Sequence, residues 1–169
     1  DKVLLVNPPI QEIRYAWSKW NQPTDLLLLS TKLKKNTGCD IELLDFMLPE
    51  DSGRVSFKNL NREKKIGEKE FSMSYKIYGS AVNEVTANLS KIIPNWKPNH
   101  IVISTLTSYW YESIITIIPI FRTILPDVEI SLIGPYSVIE TEHAKKLRVN
   151  YVVNEFIPFD YEIPDYNVY

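Results

Sequence analysis

The sequence has little cysteine. Cys39 is alone, so no disulfide can form within the chain. Zinc and iron–sulfur sites need several Cys or His ligands, and the two histidines, His100 and His143, lie far apart in sequence. These residues alone therefore cannot hold an iron–sulfur cluster. A lone cysteine and a start without a signal-peptide layout predict a reducing, cytoplasmic location.

A basic surplus and long apolar runs are also missing. The formal net charge is −2, whereas nucleic-acid-binding domains normally carry an excess of Lys and Arg. The richest apolar stretch, Ile114 to Leu125, is interrupted by Pro119 and Arg122 and is too short to cross a bilayer. We therefore expect neither nucleic acid nor a membrane as a partner.

Several short motifs that carry chemistry are absent. No G-x-G-x-x-G follows the first apolar run, and there is no Walker A loop or G-x-S-x-G elbow. The positions where a phosphorelay receiver would carry acidic residues hold Asn7 and Ser104-Thr105. Dinucleotide binding, serine hydrolysis and phosphorelay are therefore disfavoured, and no nucleophile–base pair suggests catalysis by this chain alone.

The sequence does contain an alternation of apolar strands and amphipathic helices. Strands are predicted at Lys2–Asn7, Asp40–Phe46, His100–Ser104, Glu129–Ile133 and Asn150–Val153. Helices are predicted at Asp25–Asn36, Ala81–Asn95, Glu112–Leu125 (kinked or broken near Pro119) and Thr141–Leu147. This alternation predicts an α/β fold, a flavodoxin/Rossmann-like three-layer sandwich with a five-stranded parallel sheet in the order 2-1-3-4-5.

The 169 residues suit one domain, which we place at residues 1–155. Residues 49–80 are rich in Lys, Glu, Ser and Asn, with scattered apolar residues, and are interpreted as an irregular excursion. Residues 156–169 are rich in Pro, Asp and Tyr and are interpreted as a linker.

Parallel sheets of this kind bind ligands beyond the carboxyl ends of their strands. That edge would gather the predicted cofactor-binding residues Asn7, Pro8, Pro9, Asp45, Thr105, Thr107, Ser108, Tyr109, Gly134, Pro135, Tyr136 and Glu155. Hydroxyls and backbone amides after the third strand could hold a polar group at a helix N-terminus, while aromatic rings flank a flat ligand. The alternative is a capped helix start with core aromatic residues.

Three of the polar candidates have a structural alternative. Asp45 could cap a turn or contact a ligand's hydroxyl groups, and its strand lies far across the sheet from Glu155, so a catalytic carboxylate pair is not expected. His100, at the amino end of its strand, is expected to be structural or solvated. His143 could approach the ligand edge but is expected on a helix surface.

Several segments resemble the N-terminal cobalamin-binding-type domain of radical SAM proteins. The opening Val3-Leu4-Leu5-Val6-Asn7-Pro8-Pro9 is similar to the start of that domain, and Leu43-Leu44-Asp45-Phe46 to its second strand. Further similar segments, in the family's order, are Tyr75–Gly79, Thr107–Tyr111 (like a Thr-Tyr-Trp-Tyr element of a little-characterised branch), Gly134–Tyr136 with Glu142–Ala144, Tyr151–Glu155 and Pro164–Tyr166.

The resemblance implies that the chain is an accessory domain that presents cobalamin or a substrate to a C-terminal radical SAM barrel. That barrel, outside this sequence, would carry the [4Fe-4S] cluster and S-adenosylmethionine. The chain departs from the pattern in three places. It has no D-x-H-x-x-G after the first strand, Pro135 replaces the second Gly of a pair, and Asn154 replaces the Gly before Glu155.

Three functions therefore stay open from the sequence. The first is a cobalamin-binding accessory domain. The second is a degenerate domain that binds no corrinoid and serves as a structural or interaction module. The third is a flavodoxin-like binder of another small molecule, such as a flavin or nucleotide.

Overall fold

The structure, a computed structural model, describes residues 1–12, 22–79, 86–87, 89–91, 94–105 and 111–154. Five strands form an all-parallel sheet: β1 (Lys2–Asn7), β3 (Asp40–Asp45), β6 (His100–Ser104), β7 (Glu129–Ile133) and β8 (Tyr151–Val152). Three others form an antiparallel sheet: β2 (Ile10–Glu12), β4 (Phe57–Ile66) and β5 (Lys69–Tyr78). The predicted α/β class and five-stranded parallel sheet are confirmed.

The parallel strands lie in the order β3-β1-β6-β7-β8. The predicted order, 2-1-3-4-5, was numbered on the assumption that the chain contains only the five strands of this sheet. Counted along the chain, β2, β4 and β5 fall between members of the parallel sheet, so the labels shift. The architecture is compatible with a flavodoxin/Rossmann-like fold.

Helices cover the two faces of the parallel sheet, because its buried strands carry apolar residues on both sides. On one face, α1 (Thr24–Thr37) packs Leu26 against Val3, Leu5 and Val102. On the other face, α2 (Tyr111–Ile124) belongs to the larger core, which contains these members: Leu4, Val6, Ile101, Ile103, Ile114, Ile117, Ile118, Phe121, Ile130 and Leu132. The two short helices α3 (Pro135–Ile139) and α4 (Thr141–Ala144) follow β7.

Residues 49–80 were predicted to be irregular, and this prediction is wrong. Strands β4 and β5 pair in register over ten residues each and join through Gly67-Glu68. Gly67 has φ +62°, the left-handed backbone that glycine favours at the first position of a tight hairpin turn. Strand β2 then pairs with β5, from Ile10 opposite Tyr78 to Glu12 opposite Lys76.

The helix predictions need smaller corrections. Helix α2 is continuous through Pro119, although this residue lacks the N–H that would bond one turn back in the helix. The helix predicted at Thr141–Leu147 is two short helices that begin earlier, at Pro135. Gly38 ends α1 as predicted, with φ +65° and its N–H bonded to Lys34 O. The predicted helix Ala81–Asn95 lies largely outside the described residues.

No helix in the described ranges has both the length and the apolar character needed to span a bilayer.

Candidate functional site at the carboxyl edge of the parallel sheet

Asn7 and Asp45 end neighbouring strands and are register partners, which brings their side chains together. Asn7 Nδ2 donates to Asp45 Oδ1 over 2.7 Å, and Met47 N donates to the same oxygen over 2.8 Å. Both side chains are buried. The turn-capping role weighed for Asp45 is therefore present, because its carboxylate fixes the chain where it leaves β3.

The antiparallel sheet covers the ends of β1 and β3. Pro8 and Pro9 are buried and lead directly into β2. A small core of Ile10, Met47, Val55 and Tyr78 fills the space below this sheet. Directly after Tyr78, Gly79 lies so close to Phe46 that an added Cβ would be 2.3 Å from the Phe46 carbonyl oxygen. The second sheet thus packs against the chain where it leaves β1 and β3.

Thr105 and Gly134 meet at the ends of β6 and β7. Thr105 donates from its backbone N to Ile133 O (2.8 Å), and its hydroxyl donates to the same oxygen (2.5 Å). Gly134 has φ +97°, and a Cβ added there would lie 2.2 Å from Thr105 O. Glycine is required here because another backbone, not a ligand, makes the close approach. Pro135 then opens α3 at its first position.

Ser137 was missed by the sequence analysis. It is fully buried, and its Oγ lies 2.7 Å from Gly134 O and 2.8 Å from Val153 O. It therefore ties the turn after β7 to the chain just beyond β8. A lone Ser in a short helix gives no sequence signal for this position.

Tyr136, Tyr111 and His143 form an aromatic cluster near this edge. The Tyr136 and Tyr111 rings stack with centroids 6.1 Å apart, and His143 meets Tyr111 edge-on at 4.9 Å. Tyr136 hydroxyl and His143 Nδ1 lie 2.8 Å apart. Burial raises the pKa of Tyr136 to about 12, so its phenol stays protonated and can donate to His143 Nδ1. His143, expected on a helix surface, is half-buried and contacts both tyrosines.

Thr107, Ser108, Tyr109 and Glu155 lie outside the described residues, and their binding role stays a prediction. Among the residues that the structure does describe, Ser113 Oγ in the first turn of α2 is buried without a hydrogen-bond partner.

The β4–β5 hairpin is tied to the start of α2. Arg62 makes an ion pair with Glu112 and donates from Nη2 to Gln11 Oε1 over 3.1 Å. The Arg62 and Lys64 cations also lie 5.8 and 5.6 Å from the centre of the Tyr75 ring. Tyr75, and after it Glu112, raise the pKa of Lys64. One side of the hairpin therefore contacts the domain through paired cations.

His100 lies at the opposite, amino edge of the sheet. Its Nε2 is 2.7 Å from Ser131 Oγ and its Nδ1 is 3.4 Å from Glu129 Oε2. The order Ser–His–Glu is that of a hydrolytic triad, but Tyr151 stacks on the imidazole with centroids 5.9 Å apart and donates to Glu129. Ser131 is itself buried within β7. The group is a packed polar cluster, in agreement with the structural role expected for His100.

The His100 environment predicts a pH-dependent stability. Burial lowers the pKa of His100, against the opposing effect of Glu129. The unfolded chain therefore binds a proton at a higher pH than the folded chain, and stability falls as pH decreases from about 6.5 toward the folded pKa. We expect His100→Gln to lose less stability than the wild type between about pH 7.5 and about pH 5.5 in urea unfolding.

The matched control is Lys97→Gln, at an exposed position on the same edge of the sheet, which should keep the wild-type loss over the same pH interval. Equal pH dependence in His100→Gln and the wild type would contradict the assignment.

The described residues contain no group of three or more His, Cys, Asp or Glu placed to hold a metal ion. A shallow cleft of about 200 Å³ between Lys97 and Val128 lies at the amino edge, away from the predicted binding residues.

The sequence was compared with family models and with curated proteins. No family model matches the chain. The search of curated proteins also gave no match.

Proposed function

We propose that this chain is a non-catalytic accessory domain that acts as an interaction module, in which the antiparallel sheet takes the place that a ligand has in related architectures. The observation that carries the proposal is the packing of this sheet against the chain where it leaves β1 and β3. In open sheets of this type, ligands bind beyond the strand ends near the point where the strand order reverses. Here that point lies between β1 and β6, and β1 continues through Pro8 and Pro9 directly into the antiparallel sheet.

The polar groups at this edge support the proposal because they bond to one another. Asn7 and Asp45 are paired, and Thr105 bonds to Ile133. A site built for a polar ligand would keep donors and acceptors pointed at the ligand. The described part of the edge instead uses them to close the fold, so the residues there do not fit a corrinoid.

The hairpin itself supports an interaction role. Ile66 is 67% exposed and Phe71 is 45% exposed, both near its turn. Large apolar side chains grouped on an exposed element mark contact surfaces when polar residues surround them. In the resemblance described above, the partner is the radical SAM domain that follows, which would hold the [4Fe-4S] cluster and S-adenosylmethionine.

A second candidate is the cobalamin-binding function, with a corrinoid held beside Tyr111, Tyr136 and His143. The aromatic cluster lies near the carboxyl edge, and the orphaned hydroxyl of Ser113 is in the same helical turn as Tyr111. Aromatic faces and a buried hydroxyl are groups that a flat, amide-bearing ligand can use.

Titration of the full chain with hydroxocobalamin separates the two candidates. We expect the visible corrinoid bands and the melting temperature of the protein to stay unchanged, because the edge is filled by the chain itself. Flavin mononucleotide, followed by its fluorescence, should likewise give no saturable change.

A saturable corrinoid shift that Tyr136→Phe weakens would replace the proposal with the second candidate. His100→Gln is the matched control for that case, because His100 lies at the opposite edge of the sheet. Saturable quenching of the flavin would instead favour a flavodoxin-like small-molecule binder.

A further inference from the structure

The two faces of the β4–β5 hairpin differ in charge. Side chains alternate between the faces of a strand, and the register assigns each residue to a side. One face contains four cations and no carboxylate among these residues: Lys58, Leu60, Arg62, Lys64, Ile66, Lys69, Phe71, Met73, Tyr75 and Ile77. The other face mixes Glu63, Lys65, Glu70 and Lys76 with Asn and Ser, and with Phe57 and Tyr78 at its end far from the turn. Only the first face has cations without carboxylates.

The inner part of the cationic face is already occupied. Tyr75 is buried, and Arg62 is bound to Glu112 and Gln11. Lys64 Nζ lies 3.8 Å from Glu112 Oε1, but its side chain is 44% exposed and can also reach a second carboxylate. Toward the turn, Lys64, Ile66, Lys69, Phe71 and Met73 form what we call the distal hairpin surface. Lys64 lies opposite Phe71, and Ile66 lies opposite Lys69, so charge and apolar area alternate across it. An acidic, aromatic polypeptide matches this pattern.

The chain contains one segment with that chemistry. Residues 155–169 include four carboxylates, no Lys or Arg, and eight large apolar or aromatic residues: Phe156, Ile157, Phe159, Tyr161, Ile163, Tyr166, Val168 and Tyr169. The segment follows Asn154, at the carboxyl end of β8, which is the edge where the hairpin is anchored.

The distance is well within reach. β8 is three strand positions from β1, or about 15 Å at the usual strand spacing. Fifteen residues can extend up to about 50 Å. The hairpin turn is four residues beyond Arg62, which adds roughly 14 Å.

We propose that the distal hairpin surface binds residues 155–169 of the same chain, through Lys64 and Lys69 against the carboxylates and through Ile66 and Phe71 against the aromatic rings. This inference deepens the proposed interaction role and rests on it. The contact would fix the direction in which residues 155–169 leave the parallel sheet after β8.

Zero-length carbodiimide cross-linking of the full chain tests the contact. Equal amounts of unlabelled and ¹⁵N-labelled protein are mixed, cross-linked at low concentration and mapped by mass spectrometry. We expect Lys64 or Lys69 to join Asp160 or Glu162 in peptides of one label only. The double variant Lys64→Glu/Lys69→Glu should reduce the cross-links to residues 155–169 at least tenfold.

Lys65→Glu is the matched control, because Lys65 lies between these residues in sequence but on the opposite face. It should leave the cross-links at the wild-type level. Adding Asp160→Lys/Glu162→Lys to the double variant should restore them with the two charges exchanged. Unchanged melting temperatures show that the variants fold.

Three outcomes would overturn the inference. Mixed-label peptides would assign the surface to a second copy of the chain. Cross-links that Lys65→Glu weakens as much as the double variant would show a non-specific charge effect. Absence of any link to residues 155–169 would leave the surface to a separate partner. None of these alters the corrinoid titration, so the inference and the proposed function fail separately.

Discussion

Gly134→Ala is expected to destabilise the protein by roughly 3–5 kcal/mol, because it combines backbone strain with a backbone clash. Gly134 has φ +97° and ψ −175°, a region open almost only to glycine. An added Cβ would lie 2.2 Å from Thr105 O, far inside van der Waals contact. That oxygen belongs to a residue held to Ile133 by two hydrogen bonds, so it cannot move without disturbing the ends of β6 and β7.

Gly38→Ala is the matched control for this prediction. Gly38 also has positive φ, at +65°, but nothing lies within 4 Å of an added Cβ. Only the strain of a left-handed residue remains, which costs roughly 1–2 kcal/mol. Equilibrium unfolding in urea, followed by far-UV circular dichroism, measures both. A Gly134→Ala cost no larger than that of Gly38→Ala would show that the two strand ends are not in close contact.

Gly134 shows that a glycine at a strand end can serve packing between two backbones. The sequence places Gly134 after an apolar run, and such a glycine permits close approach by either a ligand or a backbone. The sequence cannot choose between them, because the approaching atom comes from Thr105, a residue 29 positions earlier. The structure supplies the partner, and it is the chain itself.

The parallel sheet could be predicted because its strands carry short, continuous apolar runs. Val3–Val6 and Ile101–Ile103 are buried on both faces, which leaves no polar alternation to confuse with a helix. Helices α1 and α2 begin and end within one residue of their predicted bounds. Asp25, predicted as the first residue of α1, is its second residue and accepts a hydrogen bond from Ser104.

The antiparallel sheet was missed because charged residues interrupt the alternation of apolar and polar residues in one of its strands. In β5, Phe71, Met73, Tyr75 and Ile77 alternate with polar residues, which is a strand signal. In β4 the matching face carries Leu60, Arg62 and Lys64. Because two of these residues are charged, the apolar alternation is weak and the composition is typical of a loop. The cations are placed there by contacts with Glu112 and Tyr75, which only the tertiary structure reveals.

At the candidate site too, the sequence predicted where residues lie but not what they contact. Chain order alone placed Asn7, Asp45, Thr105 and Gly134 at strand ends on one edge, and the structure puts them there. Their hydrogen-bond partners depend on the strand order and on the capping sheet. The pairing of Tyr136 with His143 requires α3 and α4, and the sequence predicted a helix only at Thr141–Leu147, so α3 was missed.

Asp45→Ala is the sharpest test of whether the β1–β3 edge serves the fold or a ligand. We expect a loss of about 2–4 kcal/mol, because the substitution leaves Asn7 Nδ2 and Met47 N buried without their acceptor. Asp45→Asn keeps an oxygen that can accept from both donors, and it should lose about 1 kcal/mol or less. Asp127→Ala, at an exposed position, should stay within about 0.5 kcal/mol of the wild type.

The ligand interpretation predicts the reverse pattern. A buried carboxylate that serves a ligand's hydroxyl groups lowers the stability of the protein without ligand. Its removal would therefore leave the free energy of unfolding unchanged or raise it. Urea unfolding of the three variants therefore distinguishes the two roles without any ligand in hand. Stability of Asp45→Ala equal to that of Asp127→Ala would contradict the structural role and restore the edge as a binding site. A large loss confined to Asp45→Ala would mean that Asp45 holds the ends of β3 and β1 together.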